Sequence, residues 1–155
     1  MFSYRVRVRW ADTDASGRIH NTAALRYFEE AVSELFRHLG VSPEKSLGEG
    51  GLDFPRVHVE CDYLLPLGFD DALEIRVYRG RVGESSFTLE PEGWLLEEGP
   101  WGPLLAGRRG RPVPALALKG KLVIVTVDRQ KGESVPIPRE LRKALEELSA
   151  PTRPS

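Results

Sequence analysis

The feature that most constrains the fold is a long amphipathic pattern in residues 22–39. Apolar side chains recur there at spacings of three and four residues, namely at Leu25, Phe28, Val32, Leu35, Phe36 and Leu39. This period places them on one stripe of an α-helix. Asn21 or Thr22 is expected to cap the helix, and Gly40 to end it. About 18 residues at 1.5 Å each give roughly 27 Å, which is enough to span a small sheet.

The rest of the chain supplies the strands of that sheet. Residues 4–10 alternate apolar and arginine side chains, and four later runs are rich in alternating β-branched, leucine and aromatic residues; these runs are 54–65, 72–82, 85–97 and 115–128. Pro91 makes the run 85–97 an edge strand or a bulged one. Ser42 and Pro43 open a short second helix, and Pro138 opens a terminal helix.

Consecutive strands joined by short turns favour an antiparallel sheet, and only the long helix is able to cover its apolar face. The pattern therefore predicts an α+β fold. At 155 residues, the chain suits one domain over residues 1–150, followed by a loose tail at 151–155.

Composition excludes several classes of function and location. With 22 basic and 23 acidic residues, the formal net charge is -1, so no long-range field attracts nucleic acid or an anionic membrane. Cys61 is the only cysteine, which excludes an internal disulfide and a multi-cysteine zinc site. Arg5, Arg7 and Arg9 interrupt any signal peptide, and no stretch reaches the roughly 18 apolar residues of a membrane span. We predict a cytoplasmic protein.

The segment "DTDASG", residues 12–17, opens like an EF-hand calcium loop. Its twelfth position is Ala23 instead of a bidentate glutamate, and its ninth is His20, so the calcium interpretation fails. A transition-metal site built from Asp12, Asp14 and His20 lacks a second nearby histidine and is weak. We expect no metal.

Two interpretations of this segment remain open. In the first, Asp12 and Asp14 are turn residues, and Gly17 supplies a positive φ. In the second, the segment is a site, because it leads directly into the N-terminus of the long helix. Free amides there are able to hold a developing oxyanion, and a carboxylate beside them is able to act as a nucleophile or as a base for water. That combination suits the hydrolysis of an acyl compound.

The longer stretch "VRWADTDASGRIHNTAALRYFEEA" resembles the opening of the hotdog-fold acyl-CoA thioesterases of the 4-hydroxybenzoyl-CoA thioesterase type. The resemblance continues in "ECDYLLPLGFDDALEIRV", in "VGESSF", and in "KGKLVIVTVD" followed by "VPIPRELRKAL". It covers most of the chain. It implies a hotdog fold, in which an antiparallel sheet of about five strands wraps around one long helix, with a C-terminal helix. It also implies hydrolysis of an acyl-CoA to a carboxylic acid and CoA, without a cofactor, by a homo-oligomer that is a dimer or a tetramer.

By this resemblance, Asp14 is the catalytic carboxylate, as nucleophile or general base, and Asp12 stabilises the turn. The main-chain amide of Asn21 polarises the thioester carbonyl, and His20 has a supporting polar role. Ala24 stands where many relatives carry tyrosine, which alters the acyl pocket.

Substrate-binding roles are assigned to Gly17 and Arg18 in the same loop, and to Tyr27 at the pocket rim. Residues 99–114 depart from the family, which turns there in few residues. They form an inserted loop that we expect to be mobile, and its Arg108, Arg109 and Arg111 are candidates for binding CoA phosphates. Two alternative functions stay open: a hotdog hydratase or dehydratase that pairs a histidine with an acidic residue, and a non-catalytic acyl-CoA-binding module.

Overall fold

A computed structural model describes residues 1–41, 51–108 and 110–151. Its strands are β1 (Phe2–Arg7), β2 (Leu52–Asp53), β3 (Arg56–Tyr63), β4 (Ala72–Val82), β5 (Ser86–Glu97), β6 (Ala115–Val125) and β7 (Val127–Asp128). Its helices are α1 (Asn21–His38) and α2 (Arg139–Glu147), with short 3-10 turns at Trp10–Asp12 and Gly102–Leu104. The short helix predicted from Ser42, and tail residues 152–155, lie outside the described residues.

Five of the strands form one antiparallel sheet in the order β1-β4-β5-β6-β3. Helix α1 buries its apolar stripe against this sheet, through Ala23, Ala24, Tyr27, Phe28, Ala31, Val32, Leu35 and Phe36. Gly120 of β6 lies directly under the Phe28 ring, where a β-carbon would collide with it. This is the predicted α+β arrangement of about five strands wrapped around one long helix.

The position of Pro91 corrects one prediction. Strand β5 lies in the centre of the sheet between β4 and β6, so the edge-strand interpretation is wrong. The bulge interpretation is confirmed, because the register of β5 against β6 shifts between Gly93 and Trp94. Strands β5 and β6 are fully described, and no residue pair joins them between Leu89 and Glu92. Pro91 lies in this gap of the ladder, where the N–H that proline lacks is not needed for pairing.

The last predicted strand is in fact two. Thr126 separates β6 from β7, and β7 leaves the main sheet to pair with β2. The buried main-chain N–H of Thr126 donates to the carbonyl of Ser85 at 2.8 Å, which holds the chain at this change of direction.

Candidate active site

Residues 12–20 fold into a small hairpin that leads directly into α1. The Asp14 N–H donates to the Arg18 carbonyl at 2.8 Å, and the His20 N–H donates to the Asp12 carbonyl at 2.7 Å. Gly17 lies at the tip with φ 83° and donates its N–H to the Asp14 carbonyl at 3.0 Å. A side chain there would be strained, which explains the glycine. The 12–20 hairpin thus fixes Asp14 relative to the first turn of the helix.

The carboxylate of Asp14 is exposed and prepared to act in its ionised form. Its Oδ1 accepts hydrogen bonds from the Ser16 hydroxyl at 2.5 Å and from the Ser16 N–H at 2.8 Å. These two bonds hold the pKa of Asp14 below its usual value, and the nearby His20 adds to the effect. The main-chain N–H of Arg18 makes a smaller contribution in the same direction, and among the described residues no side chain other than Ser16 donates to this carboxylate. The turn therefore keeps the carboxylate ionised and leaves it exposed for a reaction.

The N-terminus of α1 supplies the second group of the site. His20 is the N-cap in place of Asn21 or Thr22, which the sequence predicted, and its Nδ1 accepts the Thr22 N–H at 3.2 Å. The Ala23 N–H donates to the His20 carbonyl at 2.9 Å. In the part of the chain that the structure describes, the Asn21 N–H has no acceptor. It stands at the positive end of the helix dipole, where it is able to stabilise an oxyanion.

Asp12 has a structural role beneath the hairpin. Its side chain is 2% exposed, and it accepts hydrogen bonds from the Tyr27 hydroxyl at 2.7 Å, Arg26 at 2.7 Å and Arg9 at 3.1 Å. Burial works to raise the pKa of Asp12, but the bonds from Tyr27 and Arg26 outweigh it and lower the pKa. Sequence reasoning expected the turn-stabilising role of Asp12 but missed both arginine partners.

The same contacts correct the expectation for Tyr27. Its ring is fully buried in the core, and burial together with the bond to Asp12 raises the pKa of its hydroxyl. Tyr27 therefore supports the hairpin from below and does not reach a pocket rim within this chain.

The inserted loop, residues 99–114, is also different from the expectation. Arg108 is buried, and its guanidinium binds both oxygens of the buried Asp71 at 2.6 and 3.2 Å and the Pro66 carbonyl at 2.9 Å. It is not available for a CoA phosphate, and it fixes a loop that was predicted to be mobile. Arg109 lies outside the described residues. Arg111 is exposed.

Two recesses, each of about 260 Å³, flank the hairpin. The first, which we term the aromatic recess, is lined by Asp14, the 15–17 turn, Trp10, Phe69 and Trp101. The second lies on the side of Arg18 and Ile19 and is bordered by residues 63–67 and Ala106. Sequence reasoning missed the three aromatic residues, because they come from three separate segments that only the fold brings together.

Tyr63, at the end of β3, was missed as well. Its hydroxyl donates a hydrogen bond to the carbonyl of Asn21, so the edge of the sheet holds the first turn of α1 in place. Across the described ranges, no three His, Cys, Asp or Glu side chains are grouped as metal ligands would be. Neither of the two described helices is long and apolar enough to cross a membrane.

Comparison with known proteins finds relatives that cover most of the chain. A family model described as the thioesterase-like superfamily matches residues 8–145. The acyl-CoA thioesterase YbgC of Haemophilus influenzae is 26% identical over 147 residues, which cover 95% of this chain and 96% of that protein. A 1,4-dihydroxy-2-naphthoyl-CoA hydrolase of Prochlorococcus marinus is 33% identical over 89 residues, which cover 53% of this chain and 59% of the hydrolase.

Solved structures share the fold. A 1,4-dihydroxy-2-naphthoyl-CoA thioesterase from Synechocystis matches with a TM-score of 0.78 at 20% identity, over 97% of this chain and 98% of that one. A hypothetical protein from Aquifex aeolicus matches with a TM-score of 0.76 at 27% identity, over 94% of this chain and 99% of that one. The hotdog fold predicted from the sequence is confirmed.

Proposed function

Because the chain belongs to the thioesterase-like superfamily, we propose that it hydrolyses an acyl-CoA thioester to a carboxylic acid and CoA. The observation that carries this proposal is the exposed, ionised Asp14 carboxylate in the 12–20 hairpin. The hairpin leads directly into α1, where the Asn21 N–H has no acceptor among the described residues. The names of the relatives support thioester hydrolysis, as the sequence predicted.

The reaction needs two things from the protein. The Asn21 N–H and the helix dipole stabilise the negative charge that develops on the thioester oxygen. Asp14 either attacks the carbonyl carbon, forming an anhydride that water then opens, or accepts a proton from the water that attacks. In both routes the C–S bond breaks and CoA leaves as the thiolate. The proton released from water passes to the thiolate or to solvent, and Asp14 is regenerated as the carboxylate. Neither route calls for a metal or a redox cofactor.

Release of free thiol from a panel of short, long and aryl acyl-CoAs tests this function. Asp14→Asn keeps the shape of the side chain but removes its charge, so kcat should fall by about 10²- to 10⁴-fold. Glu147→Gln, an exposed carboxylate on α2, is the matched control and should keep full activity. Comparable turnover in Asp14→Asn would end the assignment of Asp14. The same assay distinguishes hydrolysis from hydration, which releases no thiol.

The apolar edge of the sheet supports a homo-oligomer. Strand β3 is an edge strand, yet its Val57, Val59 and Tyr63 are 61%, 41% and 50% exposed. Single apolar residues on a surface are ordinary, but several on the strand at the open edge of a sheet favour burial by a second chain. We place a second copy of the chain on this edge. A tetramer would require a further contact surface on each dimer.

Two further predictions, the cytoplasmic location and the small-molecule partner, are supported by the sequence alone. Cys61 as the only cysteine supports a cytoplasmic location. The near-neutral net charge of -1 supports a small-molecule substrate over nucleic acid as the partner.

A further inference from the structure

The inserted loop is fixed to the segment that carries the hairpin. Asp71 accepts the Gly68 N–H at 2.8 Å and the Gly99 N–H at 2.7 Å, in addition to both bonds from Arg108. Leu105 of the loop is buried as well. Both arms of the loop therefore meet at one buried carboxylate.

That segment in turn binds the hairpin. The Ile19 N–H donates to the Leu67 carbonyl at 2.9 Å, and Arg18 forms a β-bridge with Gly68. A β-carbon placed on Gly68 would lie 3.2 Å from the Gly17 carbonyl and 3.5 Å from the β-carbon of Trp101. There is no space between the hairpin and the inserted loop at this point.

Trp101 of the loop lies beside the tip of the hairpin. A β-carbon on Gly17 would be 3.5 Å from the Trp101 ring, which is ordinary van der Waals contact. The same ring borders the aromatic recess, together with Trp10, Phe69 and Asp14. Trp10 and Phe69 pack edge to face, with their centroids 5.6 Å apart. The indole therefore faces the space next to the proposed reacting carboxylate.

Charge indicates which part of an acyl-CoA binds in the aromatic recess. The CoA portion carries phosphates, and its favourable side of the hairpin is the recess that contains Arg18. The aromatic recess contains the Asp14 carboxylate, which repels phosphates, and three ring systems, which stack on planar groups. A thioester carbon held at Asp14 has its acyl group within reach of those rings.

We propose that Trp101 is a specificity-determining residue, whose indole forms one side of the acyl recess and favours planar acyl groups. This inference rests on the proposed thioester hydrolysis. It gives the inserted loop a function in substrate selection that differs from the phosphate binding expected from its arginines.

The test compares kcat/KM for benzoyl-CoA and hexanoyl-CoA, measured by thiol release. In Trp101→Ala, the ratio of benzoyl-CoA to hexanoyl-CoA should fall by about tenfold or more, since an offset ring contact and its buried area are lost. Trp101→Phe should keep the ratio within about twofold, because it restores an aromatic surface. Leu104→Ala, in the same loop and 76% exposed, is the control and should leave the ratio unchanged.

An unchanged ratio in Trp101→Ala would overturn this inference while leaving hydrolysis intact. A wild type that hydrolyses other members of the acyl-CoA panel but neither of these two thioesters would also overturn this inference alone. No thiol release from any member of the panel would overturn the proposed function, and this inference with it. If Trp101→Ala melts below the assay temperature, Trp101→Leu provides the same comparison, because it keeps apolar volume but removes the aromatic ring.

Discussion

At the scale of single residues, Ser16 determines how Asp14 titrates. Its hydroxyl and its N–H both bond to Oδ1, and both favour the charged carboxylate. The turn interpretation and the site interpretation of "DTDASG" are therefore compatible, because the turn itself keeps Asp14 ionised and exposed.

Ser16→Ala removes the stronger of these two influences on Asp14. The pKa of Asp14 should rise toward its ordinary value, since a hydrogen bond to the charged form is lost. Only the ionised carboxylate is active, so the acid limb of the kcat/KM profile should move to higher pH, while the rate near neutral pH changes little. The profile is measured by thiol release at each pH after a short exposure of the enzyme to acid.

Ser134→Ala, at an exposed serine elsewhere on the chain, controls for loss of a surface hydroxyl and should leave the acid limb in place. An acid limb in Ser16→Ala that stays in place, or that moves to lower pH, would show that Ser16 does not set the pKa of the catalytic group.

At the scale of elements, local patterns predicted what depends on neighbours in the sequence. The apolar stripe predicted a helix of about 18 residues, and α1 spans Asn21–His38. The run 72–82 coincides with β4. The predicted caps, Asn21 or Thr22, lie one and two residues after the observed cap, His20. A histidine side chain accepts the Thr22 N–H there, a role that serine, threonine, asparagine and aspartate usually take.

The order of strands was beyond any local pattern. Pro91 suggested an edge, but β5 pairs on both sides with its neighbours in the chain, β4 and β6, which makes it central. Strand β3 pairs with β6 instead of with β4, which follows it in the chain. Strand order depends on contacts between distant segments, and a proline in the centre is tolerated where the ladder has a gap.

In the candidate site, too, contacts between sequence neighbours were predictable and contacts between distant residues were not. Asp14, His20 and Asn21 are near one another in the sequence, so their shared location was predictable. The pairing of Arg108 with Asp71 joins residues 37 positions apart, and the arginine cluster of residues 108–111 gave no sign that one member would be buried. The position of Trp101 beside Gly17 was hidden for the same reason.

The Arg108 and Asp71 pair should make the inserted loop a stable element. Both side chains are buried, so Arg108→Met leaves the Asp71 carboxylate buried without its guanidinium partner. Breaking such a pair typically costs about 3 to 5 kcal/mol in the free energy of unfolding. Urea unfolding of the wild type and Arg108→Met measures this loss. A change below about 1 kcal/mol would mean that water or a neighbour replaces the arginine.

Arg111→Met is the matched control, since Arg111 is an exposed arginine of the same loop. Its free energy of unfolding should stay within about 0.5 kcal/mol of the wild type.

At the scale of the whole molecule, the edge strand β3 exposes apolar side chains. In β3, Val59 pairs with Leu122 and Tyr63 with Leu118, and paired residues of neighbouring strands share a face. Leu118 and Leu122 are buried in the core, so the exposed side chains of Val59 and Tyr63 extend the core face to the edge of the sheet. The edge also carries unpaired main-chain groups, which a second strand is able to bond.

Val59→Lys therefore tests the proposed homo-oligomer. A charge placed on the apolar face of β3 would be buried without a partner in the assembly, so the assembly should dissociate toward the monomer. Light scattering coupled to size-exclusion chromatography measures the mass against the 17.4 kDa of one chain. The substitution leaves the monomer's core untouched, because Val59 is 41% exposed in the single chain.

His58→Lys is the control within the same strand, because His58 pairs with Val123 and points to the opposite face from Val59. It adds a lysine at the same edge and should leave the mass of the assembly unchanged. If dissociation of Val59→Lys also lowers kcat/KM, the hairpin depends on the assembly, since Tyr63 at the end of this strand bonds to the first residue of α1. A wild type that is monomeric at assay concentrations, or a Val59→Lys variant with the wild-type mass, would contradict the assignment of β3 as the contact edge.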